Sequence, residues 1–320
     1  QRKTLDMVGP AQDLPYVLGT TPPQYNNLDM TSKGWDLQIS WRDQINDFRY
    51  GATFTLSDNK ITIDKYPNPA KSLSTSSYWP GSTYGDIWGF ETEGIAKDKA
   101  TMDAHLAKVD QSICGSNWGE GDMMYKDLDG DGKITQGTKI AGDTGDWQVI
   151  GNTTPRYNFG LNLDAAWKGF DVKVFFQGTL KRDAMCRNSV FYGPSQNKWQ
   201  AMVFKDHMDY WRPEGDPLGA NLDAYYPKAD WNGGKNFQRS THYLQDASYV
   251  RLKNVTIGYT LPQEITRKFF VENLRVFASG ENLLTFTSFS KLSDPELVSA
   301  DFGKTYPLSQ TFSLGLSVTF

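Results

Sequence analysis

Apolar residues recur at every second position through seven segments of the chain, the period of a strand with one apolar and one polar face. Trp35, Leu37, Ile39 and Trp41 alternate with Asp36, Gln38, Ser40 and Arg42. Phe48, Tyr50, Ala52, Phe54 and Leu56 alternate with Arg49, Gly51, Thr53 and Thr55. Tyr157, Phe159, Leu161, Leu163, Ala165 and Trp167 follow the same rule, as do Phe170, Val172, Val174 and Phe176. A fifth segment, 248–260, changes phase between Leu252 and Val255, which predicts a bulge near Lys253–Asn254. The sixth covers 274–286 and the seventh is Phe312, Leu314, Leu316, Val318 and Phe320.

Alternation does not say which face meets water. Connection lengths do better. Segments one and two are joined by 43–47, three and four by Lys168–Gly169, and five and six by 261–273. The remaining connections, 58–155, 182–247 and 287–310, are long. Short and long alternate, as in an outer-membrane barrel with short periplasmic turns and long extracellular loops. Trp35, Trp41 and Trp167 fall at segment ends, where an interfacial aromatic girdle lies, although a soluble core also takes such residues. Seven strands are too few to close around loops of this size, and lipid offers no partner for an open edge, so the remaining strands belong to other sequence. The opening Gln1-Arg2-Lys3 carries no signal peptide, so a leader has been removed or the true start lies upstream, and the strand count favours the second.

Composition narrows this further. Mean hydropathy is −0.55, and no run of eighteen apolar residues provides a membrane helix, which leaves spanning strands open. A net charge of −4 lacks the basic stripe of a nucleic-acid binder. Cys114 and Cys186 both fall in long loops, where they either pair in an oxidising compartment or stand as separate thiols. The final strand, Ser313 to Phe320, has the alternation, the glycine and the terminal aromatic of an outer-membrane assembly signal, read by strand addition.

Residues 127–135 read Asp-x-Asp-x-Asp-Gly-x-Ile-x. Asp127, Asp129 and Asp131 converge on one hard cation, Gly132 turns the chain, the Lys133 carbonyl is a seventh-position ligand and Thr135 occupies the ninth. Thr138 stands where a bidentate Glu is usual, and Asp143 or Asp146 is the replacement. Calcium fits such a flexible, oxygen-rich loop, with magnesium as the alternative and a solvated turn as the plain one.

The residues now resemble a known family. Gly85-Asp86-Ile87-Trp88-Gly89-Phe90, Tyr125-Lys126-Asp127, Val149-Ile150-Gly151-Asn152 and Pro155-Arg156-Tyr157-Asn158-Phe159-Gly160 are similar, in this order, to the SusC/RagA-type TonB-dependent transporters of Bacteroidetes. So are Lys168-Gly169-Phe170-Asp171, Tyr249-Val250-Arg251-Leu252-Lys253-Asn254-Val255, Gly280-Glu281-Asn282-Leu283-Leu284-Thr285 and Tyr306-Pro307-Leu308. The resemblance implies an all-β fold, an antiparallel transmembrane β-barrel of about 22 strands around a plug. Residues 1–320 would be its C-terminal part, in the bacterial outer membrane and in contact with its lipid. It also implies a SusD-like surface lipoprotein and TonB as partners, TonB acting through a region outside this chain.

That family imports oligomers, glycan or peptide. Aromatic faces beside carboxylates and amides suit sugars, so Trp199, Trp211 and Trp231 in the long loops are candidate oligosaccharide-stacking residues, or else packing residues of the loops. The expectation is TonB-driven glycan uptake, with peptide import, or a passive porin or surface-binding barrel, as alternatives. Enzyme chemistry is not indicated: His105, His207 and His242 lack metal-ligand spacing, and no G-x-S-x-G or phosphate-binding loop occurs.

Overall fold

The structure, a computed structural model, describes residues 1–9, 17, 19, 24–74, 76–187, 189–193, 203–230, 233–298, 305, 306 and 308–320. In chain order its strands are β1 (Arg2–Val8), β2 (Asn26–Ile45), β3 (Phe48–Lys65), β4 (Asp86–Gly89), β5 (Thr92–Ile95), β6 (Met123–Tyr125) and β7 (Gln148–Asn152). They continue as β8 (Arg156–Trp167), β9 (Phe170–Lys181), β10 (Asp183–Met185), β11 (Leu244–Asp246), β12 (Tyr249–Thr260), β13 (Asn273–Phe286) and β14 (Thr311–Thr319). The longest helix among the described residues, α1 (Lys99–Leu106), is started by Asp98, whose carboxylate accepts the Thr101 N–H at 2.7 Å.

Eight of the strands make one antiparallel sheet, in the order β1-β2-β3-β8-β9-β12-β13-β14. Seven were expected. The eighth, β1, pairs with the part of β2 that precedes the alternating stretch, and its Arg-Lys-Thr-Leu-Asp-Met-Val carries no clean period. The three short connections lie where the pattern put them, at Asn46–Asp47, Lys168–Gly169 and 261–272. β3 runs on through Ser57-Asp58-Asn59-Lys60 to Lys65, so the first long connection begins at 66 rather than 58. The bulge is present: β12 shifts register against both neighbours between Leu252 and Asn254. It lets Leu252 and Val255 lie on one face despite odd spacing, opposite Phe176 and Val174.

Strand register joins like with like. Ile45, Phe48, Trp167, Phe170, Tyr259, Val276 and Leu316 stand opposite one another in a row across seven strands. A row of the other parity reads Arg42, Gly51, Asp164, Lys173, Thr256, Ser279 and Ser313. The apolar face is exposed or half-exposed along its length, with Trp35, Trp41 and Trp167 among the exposed rings. The polar face carries its own contacts: Arg275 holds Asp171 by two bonds of 2.9 and 2.5 Å, and its guanidinium lies 4.9 Å from the centre of the Phe277 ring. That ring lies across Gly315 of β14, where any Cβ would collide with it.

The long connections fold together over one end of the sheet into a cap with a core of ordinary type. Phe90, Met123, Tyr125 and Ile134 from 66–155, Ala184, Cys186, Tyr192, Phe237 and Tyr243 from 182–248, and Phe289 from 287–310 form one buried cluster. Short pairs β4–β7, β5–β6 and β10–β11 stiffen it. Buried Asp122 ties two connections: it accepts from Lys235 Nζ at 2.8 Å, Lys228 Nζ at 3.0 Å and Asn236 Nδ2 at 2.9 Å. The third connection is clamped to the polar face of β12, where buried Arg251 meets Asp294 at 2.7 Å and Glu296 at 2.5 Å, and Lys253 meets Glu296 at 2.8 Å.

Candidate functional site

Where cap and polar sheet face meet, a cavity of about 830 Å³ opens, lined from the sheet by Asn59, Ile61 and Asn158. The cap adds Tyr84, Thr153, Thr154 and Arg182. Tyr84 is 42% exposed and stacks on Tyr78 with centroids 5.6 Å apart and planes 10° apart, which sets the ring's orientation at the wall. Asn152 fixes the segment, donating from Nδ2 to the Tyr84 carbonyl at 3.0 Å and to Asp86 Oδ1 at 2.8 Å. Arg182, just past the end of β9, donates from Nε to the Thr153 carbonyl at 3.1 Å and from Nη2 to the Val298 carbonyl at 3.2 Å. Burial pushes its guanidinium below the usual arginine range. An aromatic wall with amides, hydroxyls and a cation is the composition of a site for a polar oligomer. None of these residues was read from the sequence as a site residue, although Asp86, Asn152 and Asn158 fall in motifs of the resemblance: Tyr84, Asn158 and Arg182 are far apart in the chain, and the fold alone brings them together.

The acidic loop is a second candidate. Carboxylate oxygens of Asp127, Asp129 and Asp146 come within 4.8 Å of one another. Asp146, named as a replacement ligand, is fully buried and accepts the Leu128 N–H at 2.6 Å and the Thr135 N–H at 2.7 Å. Asp127 accepts from Gly130 and Gly132 at 2.7 and 2.8 Å, and Gly132 takes φ +80°, the left-handed turn expected of it. Asp131 lies outside the trio: its carboxylate accepts the Lys133 N–H at 2.7 Å. The Asp131 N–H favours the charged form of Asp129, but desolvation and the carboxylates of Asp131, Asp146 and Asp127 outweigh it and raise the Asp129 pKa. Ile134, buried in the cap core, anchors the loop.

Of the three tryptophans, Trp199 and Trp231 lie outside the described residues. Trp211 is only 5% exposed and covers Gly121, so its ring packs the cap and presents no open face to a sugar. Cys114 and Cys186 are free thiols in the cap core, and burial pushes both up to about 12. The histidines are separate: His105 bonds Gln111, His207 the Phe191 carbonyl and His242 the Tyr225 carbonyl.

No family model matches the chain. It is 27% identical, over 99% of its length, to the TonB-dependent receptor P3 of Formosa agariphila, and 25% identical, over 71%, to the TonB-dependent receptor SusC of Bacteroides thetaiotaomicron. It spans 31% of the first and 20% of the second. The fold superimposes on the RagAB peptide transporter with a TM-score of 0.71 at 24% identity, over 99% of this chain and 32% of that one. In sequence the chain is thus similar to TonB-dependent receptors, SusC among them, and in fold to part of the RagAB transporter.

Proposed function

We propose that this chain is the C-terminal part of an outer-membrane β-barrel that imports glycan oligosaccharides by TonB-driven transport, with a SusD-like surface lipoprotein as partner. The observation that carries the cargo assignment is the cavity beneath the cap, where Tyr84, stacked on Tyr78, stands among Asn59, Asn158, Thr153 and Thr154. An aromatic face takes the C–H side of a sugar while amides and hydroxyls take its hydroxyl groups. A second reading, peptide import, is favoured by the likeness to RagAB, itself a peptide transporter. Titrating the full-length transporter with oligosaccharides and peptides separates them. Oligosaccharide binding should weaken about ten-fold in Tyr84→Ala, the loss of one stacking contact of about 1 kcal/mol or a little more. Peptide binding with no response to any oligosaccharide would replace the first reading by the second.

The proposal gives the acidic loop a structural calcium ion, or magnesium in its place. Asp127, Asp129 and Asp146 supply the carboxylates, with the Lys133 carbonyl and Thr135 as further oxygen donors. Asp131 serves the turn. Calcium should then raise the melting temperature of the wild type relative to chelator, and Asp129→Ala should remove the difference. A wild type that melts alike in both conditions has no such ion.

A further inference from the structure

The cavity beneath the cap has an imbalance of charge that glycan import by itself does not require. A smaller cavity of about 190 Å³ adjoins it, sharing Asn59, Ile61, Tyr84 and Thr154 and adding Lys60, Lys181, Arg156 and Asp86. Arg156 is neutralised by Asp58, its bonded partner. Arg182, Lys60 and Lys181 form no ion pair among the described residues. The one further acid of the lining, Asp86, is bonded to Asn152, and burial raises its pKa against that bond and the nearby charge of Lys60. Three cations thus face at most one carboxylate, in a chain whose net charge is −4. Arg182 is the most telling, since half-burying a guanidinium without an anion costs free energy that a bound anion returns.

We propose that this double cavity is an anion subsite in which Arg182, Lys60 and Lys181 receive a carboxylate of the cargo, so that acidic oligosaccharides are preferred over neutral ones. The inference rests on the import reading and deepens it. Tyr84 stacks on the ring of an acidic sugar while its carboxylate turns to Arg182. Two nitrogens of Arg182 are held by backbone carbonyls, which orients the planar guanidinium before cargo arrives. Lys60 and Lys181, exposed at the mouth, add attraction that salt weakens.

The test is a titration of the full-length transporter with short oligogalacturonates, their methyl esters, and acidic and neutral peptides, at low and high salt. The free acids should bind about ten-fold more tightly than the esters at low salt, the difference one charged hydrogen-bonded contact makes. Arg182→Gln should bring the ratio of acid to ester affinity close to one. Because that change also removes two backbone anchors, Lys60→Gln with Lys181→Gln forms a second arm and should flatten the salt dependence of acid binding. Equal affinity for acid and ester in the wild type overturns the subsite and leaves oligosaccharide import standing. An acid preference that survives both sets of substitutions overturns its location. Binding of peptides alone overturns the cargo reading and this inference together.

Discussion

The sheet and the cap are built from the same kinds of residue turned in opposite directions. In the cap, Phe90, Tyr125, Tyr192 and Tyr243 are buried together and the acids and lysines of its surface meet water. In the sheet, Leu37, Ile39, Leu163, Phe170 and Ile257 are exposed on one face, while hydroxyls, amides and ion pairs occupy the other. A water-soluble sheet of this size would cover such a row, because exposed apolar patches of that extent are rare on soluble proteins. The difference teaches that the cap has the burial pattern of a protein folded in water and the sheet the reverse. An apolar face outward and a polar face inward is the pattern that the proposed place in a membrane requires.

Mutations can break this comparison. The largest effect is expected in the cap, where Tyr243 is completely buried among Tyr192, Tyr225 and Phe237. Tyr243→Ala should cost about 3–5 kcal/mol of cap stability, the range for emptying a large aromatic site, read as early loss of cap protection in hydrogen exchange. Next, Leu163→Arg, in the middle of the apolar face, should destabilise the protein in bilayers by about 2–4 kcal/mol. If that face met water, an exposed leucine so replaced would change stability by no more than about 0.5 kcal/mol. Gly315→Val drives a side chain into the Phe277 ring and should cost about 1–3 kcal/mol by overpacking, measured by the urea midpoint of the full-length protein. The smallest effect belongs to the exposed Lys99–Asp103 pair at 2.8 Å, where Lys99→Ala should alter cap melting by about 0.5 kcal/mol or less.

The same contrast explains what could be read from the sequence. Seven strands of the sheet were legible because one apolar and one polar face give them a strict period of two, and even the bulge in β12 showed as a change of phase at Lys253–Asn254. Their extensions were not. β2 from Asn26 and β3 beyond Ser57 keep their backbone pairing after the apolar face has ended, and a run such as Ser57-Asp58-Asn59-Lys60 looks like a loop. β1 escaped for the same reason. The cap had no period at all: its core is assembled from isolated residues of three irregular connections, which is why the sequence left Trp211 between sugar stacking and loop packing, and only the fold shows it buried. Asp127 and Asp129 announced themselves by spacing, whereas the substitution of Asp146 for Asp131 in the trio depends on how the chain returns. Tyr84 and Arg182 had no local signature, since only the closure of the cap over the sheet makes them neighbours.

The claim on which everything else depends is that the apolar face of the sheet lies against hydrocarbon. Spin labels placed singly at 170, 171, 172, 173, 174 and 176 along β9, in the full-length protein reconstituted in bilayers, test it most directly. Cys114 and Cys186 are buried, with pKa values pushed up to about 12, and will not compete for the label once any cysteine outside residues 1–320 is replaced. Labels replacing Phe170, Val172, Val174 and Phe176 should relax readily with oxygen and poorly with a water-soluble nickel chelate, and those replacing Asp171 and Lys173 should do the reverse. Equal accessibility to both reagents along the strand, or an alternation of the opposite sign, would contradict the account.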